Sequence, residues 1–338
     1  MIEKTGSQGL RLVRDMGSPP LNITVLAGGP GAEREVSLES GRAVHAALQR
    51  LGHRSSLGDI RPDDLSALRR PIDLVFIALH GEFGEDGTLQ ALLDETGLPY
   101  TGSGADASRL AMNKVVAKRR FQAQGIPTPA YAVVQADNID TQAFRVGWPA
   151  VVKPVSSGSS VDTTICRTAM TLRRAALDLV EKYGEALIER YVKGPELTVG
   201  ILGDRALPVC EIRTRREFYD YDAKYNDDDT QYLFDLELPP ELLKRVQELA
   251  LEAHRTLGCR VFSRVDCMID ATTLEPFFLE VNTIPGFTSH SLVPKSAARI
   301  GINFDQLCQR IVELSLEARD ARVRSSTAAP QRAAAARS

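Results

Sequence analysis

Hydrophobic and polar positions follow two rhythms along the chain. Residues 22–27 form a short run rich in β-branched residues that enters Gly28-Gly29-Pro30-Gly31. The next segment puts Val44, Leu48 and Leu51 on one face, with Gly52 just beyond. That pattern predicts a strand, a glycine turn and a helix. Residues 73–79 are almost continuously apolar, as expected of a strand covered on both faces of a parallel sheet. Residues 106–124 read as one helix closed by Gly125, ahead of Pro127 and Pro129. Strands are predicted at 149–153 and 187–189, with a small-residue loop at 156–160 after the first.

The rhythm then changes. Residues 196–202 and 207–213 flank Gly203-Asp204, a hairpin pattern. A helix is predicted over 240–257, with apolar positions at 242, 246, 249, 253 and 257 and Gly258 at its end. Strands at 261–269 and 276–281 join through Ala271-Thr272-Thr273, and a last helix covers about 305–318. An α/β opening followed by α+β material is the fold class this order implies. Residues 1–20 read as a mobile leader. Residues 319–338, rich in Ala, Arg and Ser, bury too little to order themselves and read as a disordered tail.

Composition narrows the function classes. The net charge is −3, with 43% hydrophobic and 25% charged residues, so neither nucleic acid nor an anionic membrane is an expected partner. The longest apolar runs fall far short of the ~20 residues that cross a bilayer. The first residues include Glu3, Asp15 and two prolines where a signal peptide needs an apolar stretch. Five scattered cysteines with no C-x-x-C pair argue for reduced, buried thiols in the cytoplasm, and against a disulfide framework or a zinc site.

Chemistry-bearing residues cluster in five places. Glu33, after Gly29-Pro30-Gly31, occupies the point where phosphate would approach in a dinucleotide fingerprint, and Arg34 replaces that fingerprint's third glycine. A carboxylate there suits a substrate ammonium, although a tight turn with Glu33 favouring the helix dipole accounts for it equally. His80-Gly81-x-x-Gly84-Glu85-Asp86-Gly87 closes the strand at 73–79, where α/β domains bind ligands. Lys153 and the hydroxyl-rich loop at 156–160 have the donors for phosphate cover without a Walker sequence, although on their own a plain loop accounts for them better. The strongest constellation lies at 261–282. Arg264 and Asp266 share one strand face by period two, as do Glu280 and Asn282. If the two strands pair, two carboxylates, an amide oxygen and a guanidinium converge, and oxygen-only donors select Mg²⁺ or Mn²⁺. A structural ion pair is the competing account. Gly286, Thr288, Ser289, His290 and Ser291 follow in a turn.

Taken in order, these segments resemble the D-alanine–D-alanine ligases of the ATP-grasp superfamily. The resemblance spans about residues 22–318. It rests on G-G-x-x-A-E-R-E-V-S at 28–37, H-G-x-x-G-E-D-G at 80–87, G-S-S-V at 158–161, F-Y-D-Y-D-A-K-Y at 218–225, R-V-D at 264–266 and E-V-N-T-x-P-G-F-T-S-H-S-L-V-P-K at 280–295. It implies a three-domain ATP-grasp fold: a Rossmann-like domain at 21–104, a central domain at 105–189 and a catalytic domain at 190–318. The implied activity joins two D-alanine molecules, through an acyl phosphate formed from ATP, for peptidoglycan precursor synthesis in a cytoplasmic homodimer.

By position, the resemblance gives Glu33 the first ammonium, in a hydrogen-bonded chain with Ser159 and Tyr225. It gives Lys114, Lys153 and Lys224 the phosphates, and Glu189, Arg190, Tyr191, Val192 and Glu196 the adenine and ribose. Asp266, Glu280 and Asn282 would bind two Mg²⁺ (or Mn²⁺). Arg264 and the Gly286 N–H would face the oxyanion, and Ser291 the second carboxylate. His80 has no assigned role. This chain departs from the family at Asp162, in a common glycine position, which brings negative charge toward the phosphates. Asn113 replaces a frequent Asp, Asp227-Asp228-Asp229 makes one loop acidic, and Asp235 takes a common proline position. Tyr225 favours an amine as second substrate. Sister ligases for D-lactate or D-serine, and a nucleotide-binding paralogue with little turnover, are the alternatives. A nicotinamide dehydrogenase is disfavoured by Arg34.

Overall fold

The computed structural model describes residues 19–31, 33–69, 71–158, 160–214, 230–288 and 290–335, with side chains to 320. The first sheet is parallel, in the order β2-β1-β3, from β1 (Asn22–Ala27), β2 (Arg54–Asp59) and β3 (Leu74–Ile77). Helix α1 (Arg34–Arg50) connects β1 to β2, and α2 (Thr88–Thr96) follows β3. All four residues of β3 are buried, in keeping with its unbroken apolar sequence. Because β1 and β3 are parallel neighbours, their carboxyl ends deliver the 28–31 turn and the 80–87 loop side by side. Ser37 fastens them: its hydroxyl accepts the Gly28 N–H at 2.8 Å and donates to the Ala78 carbonyl at 2.7 Å.

The helix expected over 106–124 is two helices, α3 (Ala105–Met112) and α4 (Lys114–Ala123). Asn113 between them is extended, and its side chain accepts the Val116 N–H at 3.0 Å. Asn competes for local backbone donors and so caps a helix where periodicity alone would carry one through. It caps as well as Asp would, and it sets Lys114 at the first position of α4.

The second sheet contains β4 (Tyr131–Val134), β5 (Ala150–Lys153), β6 (Thr164–Cys166) and β7 (Ala186–Arg190) in the antiparallel order β4-β7-β5-β6. Helices α5 (Ile139–Val146) and α6 (Ala169–Tyr183) supply its core, with Leu172, Ala176 and Leu179 against Val152 and Ile188.

The third sheet contains β8 (Glu196–Leu202), β9 (Arg205–Ala206), β10 (Cys210–Arg213), β11 (Gln231–Leu233), β12 (Phe262–Ile269) and β13 (Pro276–Asn282), with α7 (Pro240–Thr256) packed on it. Its order is β11-β10-β8-β12-β13, with β9 also on β8. The return strand expected at 207–213 begins only at Cys210, as β10, because Pro208 has no N–H to give a ladder; β9 precedes it as a separate two-residue strand. Helices α8 (Leu292–Ala298) and α9 (Phe304–Ala335) complete the chain. The last helix runs on to Ala335, into the segment read from composition as a tail. Ala and Arg carry high intrinsic helix propensity, and a helix already nucleated on packed residues continues through them.

An aromatic cluster joins the first sheet to the third. Phe287 meets Phe76 and Phe262 edge-on, each at 5.6 Å between centroids, and Phe304 at 6.4 Å. Such pairs contribute about 0.5–1.5 kcal/mol each beyond area burial. They fix the 284–291 turn against the parallel sheet. All five cysteines are buried and free.

Candidate active site

Strands β12 and β13 pair antiparallel, with Arg264 opposite Asn282 and Asp266 opposite Glu280. The four polar groups therefore do converge, as period two required. The register slips between Asp266 and Cys267, so Leu279 is an extra residue on β13. Bulges re-aim side chains, and here both Leu279 and Glu280 line the same cleft. Asp266 is buried; its carboxylate accepts from Thr198 Oγ1 at 2.6 Å and from Arg264 Nε and Nη2 at 2.9 and 2.7 Å. Asn282 Oδ1 accepts the Ile284 N–H at 2.9 Å, which holds the amide oxygen beside Glu280. The donors available to a cation are thus two carboxylates and an amide oxygen, the hard set that Mg²⁺ or Mn²⁺ takes. No group of three or more His, Cys, Asp and Glu suited to a metal occurs among the described residues.

A cleft of about 310 Å³ separates the second sheet from the third. Lys153, Glu189, Arg190, Tyr191, Val192 and Glu196 line it, with Asp266 and Glu280 opposite. Lys114 Nζ lies 3.5 Å from Glu280 Oε2 and donates to the Ser157 carbonyl. Burial pushes the Lys114 ammonium below its ordinary value, with Glu280 opposing. Glu189 is sandwiched: Lys118 Nζ is 3.0 Å from one carboxylate oxygen and Lys153 Nζ 3.0 Å from the other. Burial alone would raise the Glu189 carboxyl, but the two ammoniums hold it below the usual range. Arg190 turns away from the cleft centre, with its guanidinium over Phe277 and 3.8 Å from Asp270.

A smaller cavity of about 60 Å³ abuts the cleft and shares Lys114, Ser157 and Glu280 with it. Glu33, His80, Glu85, Arg264, Asn282 and Gly286 line it. A Cβ on Gly81 would meet Glu33 Oε2 at 2.6 Å, and one on Gly286 would meet Ser291 Oγ at 2.6 Å. Both glycines are thus needed for close approach rather than for turn shape alone. Ser291 Oγ accepts the Thr288 N–H at 2.9 Å at the entrance to α8. His80 is buried, with Nδ1 3.0 Å from the Ile284 carbonyl and Nε2 3.1 Å from Ser40 Oγ. Since a carbonyl only accepts, Nδ1 carries a proton. Burial opposes the charged imidazole, but Glu85 at 3.5 Å outweighs it and the His80 pKa is raised. Burial also raises that of Glu85. Sequence reasoning missed Glu85 as a site residue although it stands within the H-G-x-x-G-E motif.

Other expectations are redirected. Arg34 closes the glycine turn by donating to the Gly29 carbonyl at 3.1 Å and to both Asp59 oxygens. Asp162 does not add free charge toward the phosphates: its carboxylate accepts from Lys182 and Tyr183 of α6, which lowers its pKa. Asp235 pairs with Arg299 at 3.1 Å. Ser159, Lys224, Tyr225 and the acidic run at 227–229 lie outside the described residues.

Comparison with known proteins finds relatives along most of the chain. The family profile "D-ala D-ala ligase C-terminus" matches residues 121–313, and "D-ala D-ala ligase N-terminus" matches 53–103. A D-alanine–D-alanine ligase of Gloeobacter violaceus is 46% identical over 303 residues, which is 88% of this chain and 100% of that protein. One of Marinobacter nauticus is 46% identical over 307 residues, 90% and 93% of the two chains. Among solved structures, the Bacillus anthracis D-alanine–D-alanine ligase complexed with ATP has a TM-score of 0.78 at 34% identity, covering 89% of this chain and 99% of its own. The VanG D-Ala:D-Ser ligase of Enterococcus faecalis has a TM-score of 0.76 at 29% identity, covering 88% and 100%. With the paired strands, the two abutting cavities and matches over most of its length, the chain belongs to the D-alanine–D-alanine ligase family.

Proposed function

We propose that this chain joins two D-alanine molecules at the expense of ATP. The observation that carries the reading is the contact between the two cavities at Lys114, Ser157 and Glu280. A triphosphate in the larger cavity then meets a small amino acid in the smaller one. Glu33 holds the ammonium of the first D-alanine, with Ser159 and Tyr225 in a chain to it. One carboxylate oxygen of that substrate attacks the γ-phosphorus, the bond to the β–γ bridging oxygen breaks, and ADP leaves. The amine of the second D-alanine attacks the resulting acyl phosphate, loses a proton, and expels phosphate as the peptide bond forms.

Lys114, Lys153 and Lys224 face the phosphates. Glu189, Arg190, Tyr191, Val192 and Glu196 border the adenine and ribose, with Ser291 toward the second carboxylate. Phosphoryl transfer asks chiefly for positioning and charge neutralisation. Two Mg²⁺ or Mn²⁺ ions, held by Asp266, Glu280 and Asn282, supply much of that neutralisation when bound. The oxyanion of the second step faces the Arg264 guanidinium and the Gly286 N–H, donors fixed before the reaction begins. Arg264 is itself oriented by Asp266. We place the reaction in the cytoplasm, in peptidoglycan precursor synthesis by a homodimer; the five free cysteines suit a reducing compartment.

Phosphate release measured with D-alanine, D-serine, D-lactate and L-alanine, with mass spectrometry of the product, tests the reading. D-alanyl-D-alanine as the main product, one per ATP, is the expected result. Robust product only from a mixed pair would transfer the chain to a sister ligase, and no product from any pair would leave the paralogue without turnover.

A further inference from the structure

Lys118 is a buried cation to which the reaction above gives no task. Its side chain is fully enclosed, at 0% exposure, within a helix whose next residues, Arg119 and Arg120, face solvent. Its ammonium donates to Thr128 Oγ1 at 2.7 Å and faces Glu189 Oε1 at 3.0 Å without hydrogen-bond alignment. The Thr128 hydroxyl in turn donates a hydrogen bond to the Phe278 carbonyl at 2.8 Å. Phe278 borders the β13 bulge, two residues before Glu280. One ammonium therefore ties together three elements: α4, which begins at Lys114; β7 and through it Lys153 on β5; and β13, which carries Glu280.

We propose that Lys118 is a positioning residue for nucleotide binding, acting through Glu189 on Lys153. The proposal rests on the reading of Lys153 as a phosphate lysine. A buried carboxylate between two ammoniums shares its attraction, and the trio carries one net positive charge. That surplus is available to a triphosphate. Without Lys118, Glu189 and Lys153 form a closed neutral pair. The low-dielectric cleft strengthens that pair and draws Lys153 off the phosphates. Thr128 gives the same ammonium a second, uncharged grip on β13. The two grips separate experimentally, because one depends on charge and the other on a hydroxyl.

The test measures ADP dissociation constants by calorimetry and steady-state constants for K118Q, K118R, K153M and the double variant K118Q/K153M. Calorimetry needs no turnover, and melting temperatures report the structural role separately. K118Q keeps the length and a donor for Thr128 but loses the charge. It is expected to weaken ADP binding and raise KM for ATP about tenfold, with KM for D-alanine within twofold and K118R largely restored. The double variant should bind ADP no worse than K153M alone, since Lys118 acts through Lys153. Should K118Q not fold, Thr128→Val leaves the charge in place and should keep ADP affinity within about threefold. Weakened binding in K153M beside unchanged binding in K118Q would overturn the inference, as would additive losses in the double variant or a matching tenfold loss in Thr128→Val. Unchanged binding in K153M would instead overturn the reading of Lys153.

Discussion

Two carboxylates around the second sheet each meet a lysine, and their surroundings make them different devices. Glu189 is 2% exposed, with Lys118 at 0% and Lys153 at 10%, in the wall of the larger cleft. Asp162 is 31% exposed, its partner Lys182 57%, on a loop at the rim. In the first case neither charge has water to fall back on, so each group depends on the others being present and ionised. In the second, water and salt replace whatever the partner withdraws. An ion pair gains consequence from what it excludes, and the structural role of a carboxylate cannot be read from the presence of a lysine beside it.

The comparison breaks first, and most visibly, at Glu189. Glu189→Gln leaves two buried ammoniums without their counter-charge, and breaking such a pair costs about 3–5 kcal/mol. Urea denaturation should show a loss of that size, and Lys118, already pushed down by burial to about 8, should titrate lower still. A loss no larger than that of a surface variant would mean that water reaches Glu189.

Glu280 lies between the extremes, at 29% exposure and 3.5 Å from Lys114. Glu280→Gln keeps shape and removes the charge that faces Lys114 and that the proposed Mg²⁺ would use. Turnover should fall by at least about a hundredfold, the scale of losing one preorganised electrostatic group. The melting temperature should hold within a few degrees. Retained activity beside a lower melting temperature would favour a purely structural ion pair.

His254 extends the comparison to a buried group kept neutral. Its Nδ1 is 2.7 Å from Ser263 Oγ, and burial pushes the imidazole from 6.5 down to about 4. Between those values the unfolded chain binds a proton that the folded chain refuses, so stability falls as pH falls. From pH 6.5 to 5 the loss is about 1.5 kcal/mol. His254→Asn should flatten that part of the stability curve; an unchanged slope would assign it to carboxylates.

What was legible in the sequence follows the same division. Arg264, Asp266, Glu280 and Asn282 could be placed together because strand period fixes which side chains share a face, and the pairing supplied the rest. Lys118 could not, because a lysine ahead of Arg119-Arg120 reads as a solvated helix face and only tertiary packing encloses it. Asp162 was recognised as a departure, but Lys182 lies twenty residues away on α6 with no periodic relation to it. The break at Asn113 hid for the opposite reason, since a one-residue cap barely disturbs a helical pattern.

The smallest effect is expected at Asp162, where the comparison is sharpest. Its backbone is left-handed, at φ 55°, a region Asp tolerates and glycine adopts freely. Asp162→Gly therefore removes backbone strain and an exposed ion pair together, and the two changes oppose each other. The charge it deletes is already met by Lys182 and by the Tyr183 hydroxyl, which together hold the carboxyl below its usual range. ATP binding should then change by less than about threefold, and the change should be the same at 50 and 500 mM salt. A clear tightening that grows at low salt would show that Asp162 acts on the phosphates through space despite its partners. A weakening of tenfold or more would make the Asp162–Lys182 contact the clasp that holds the 156–162 loop in place. In that event exposure would not predict consequence, and the contrast with Glu189 would fail on its own terms.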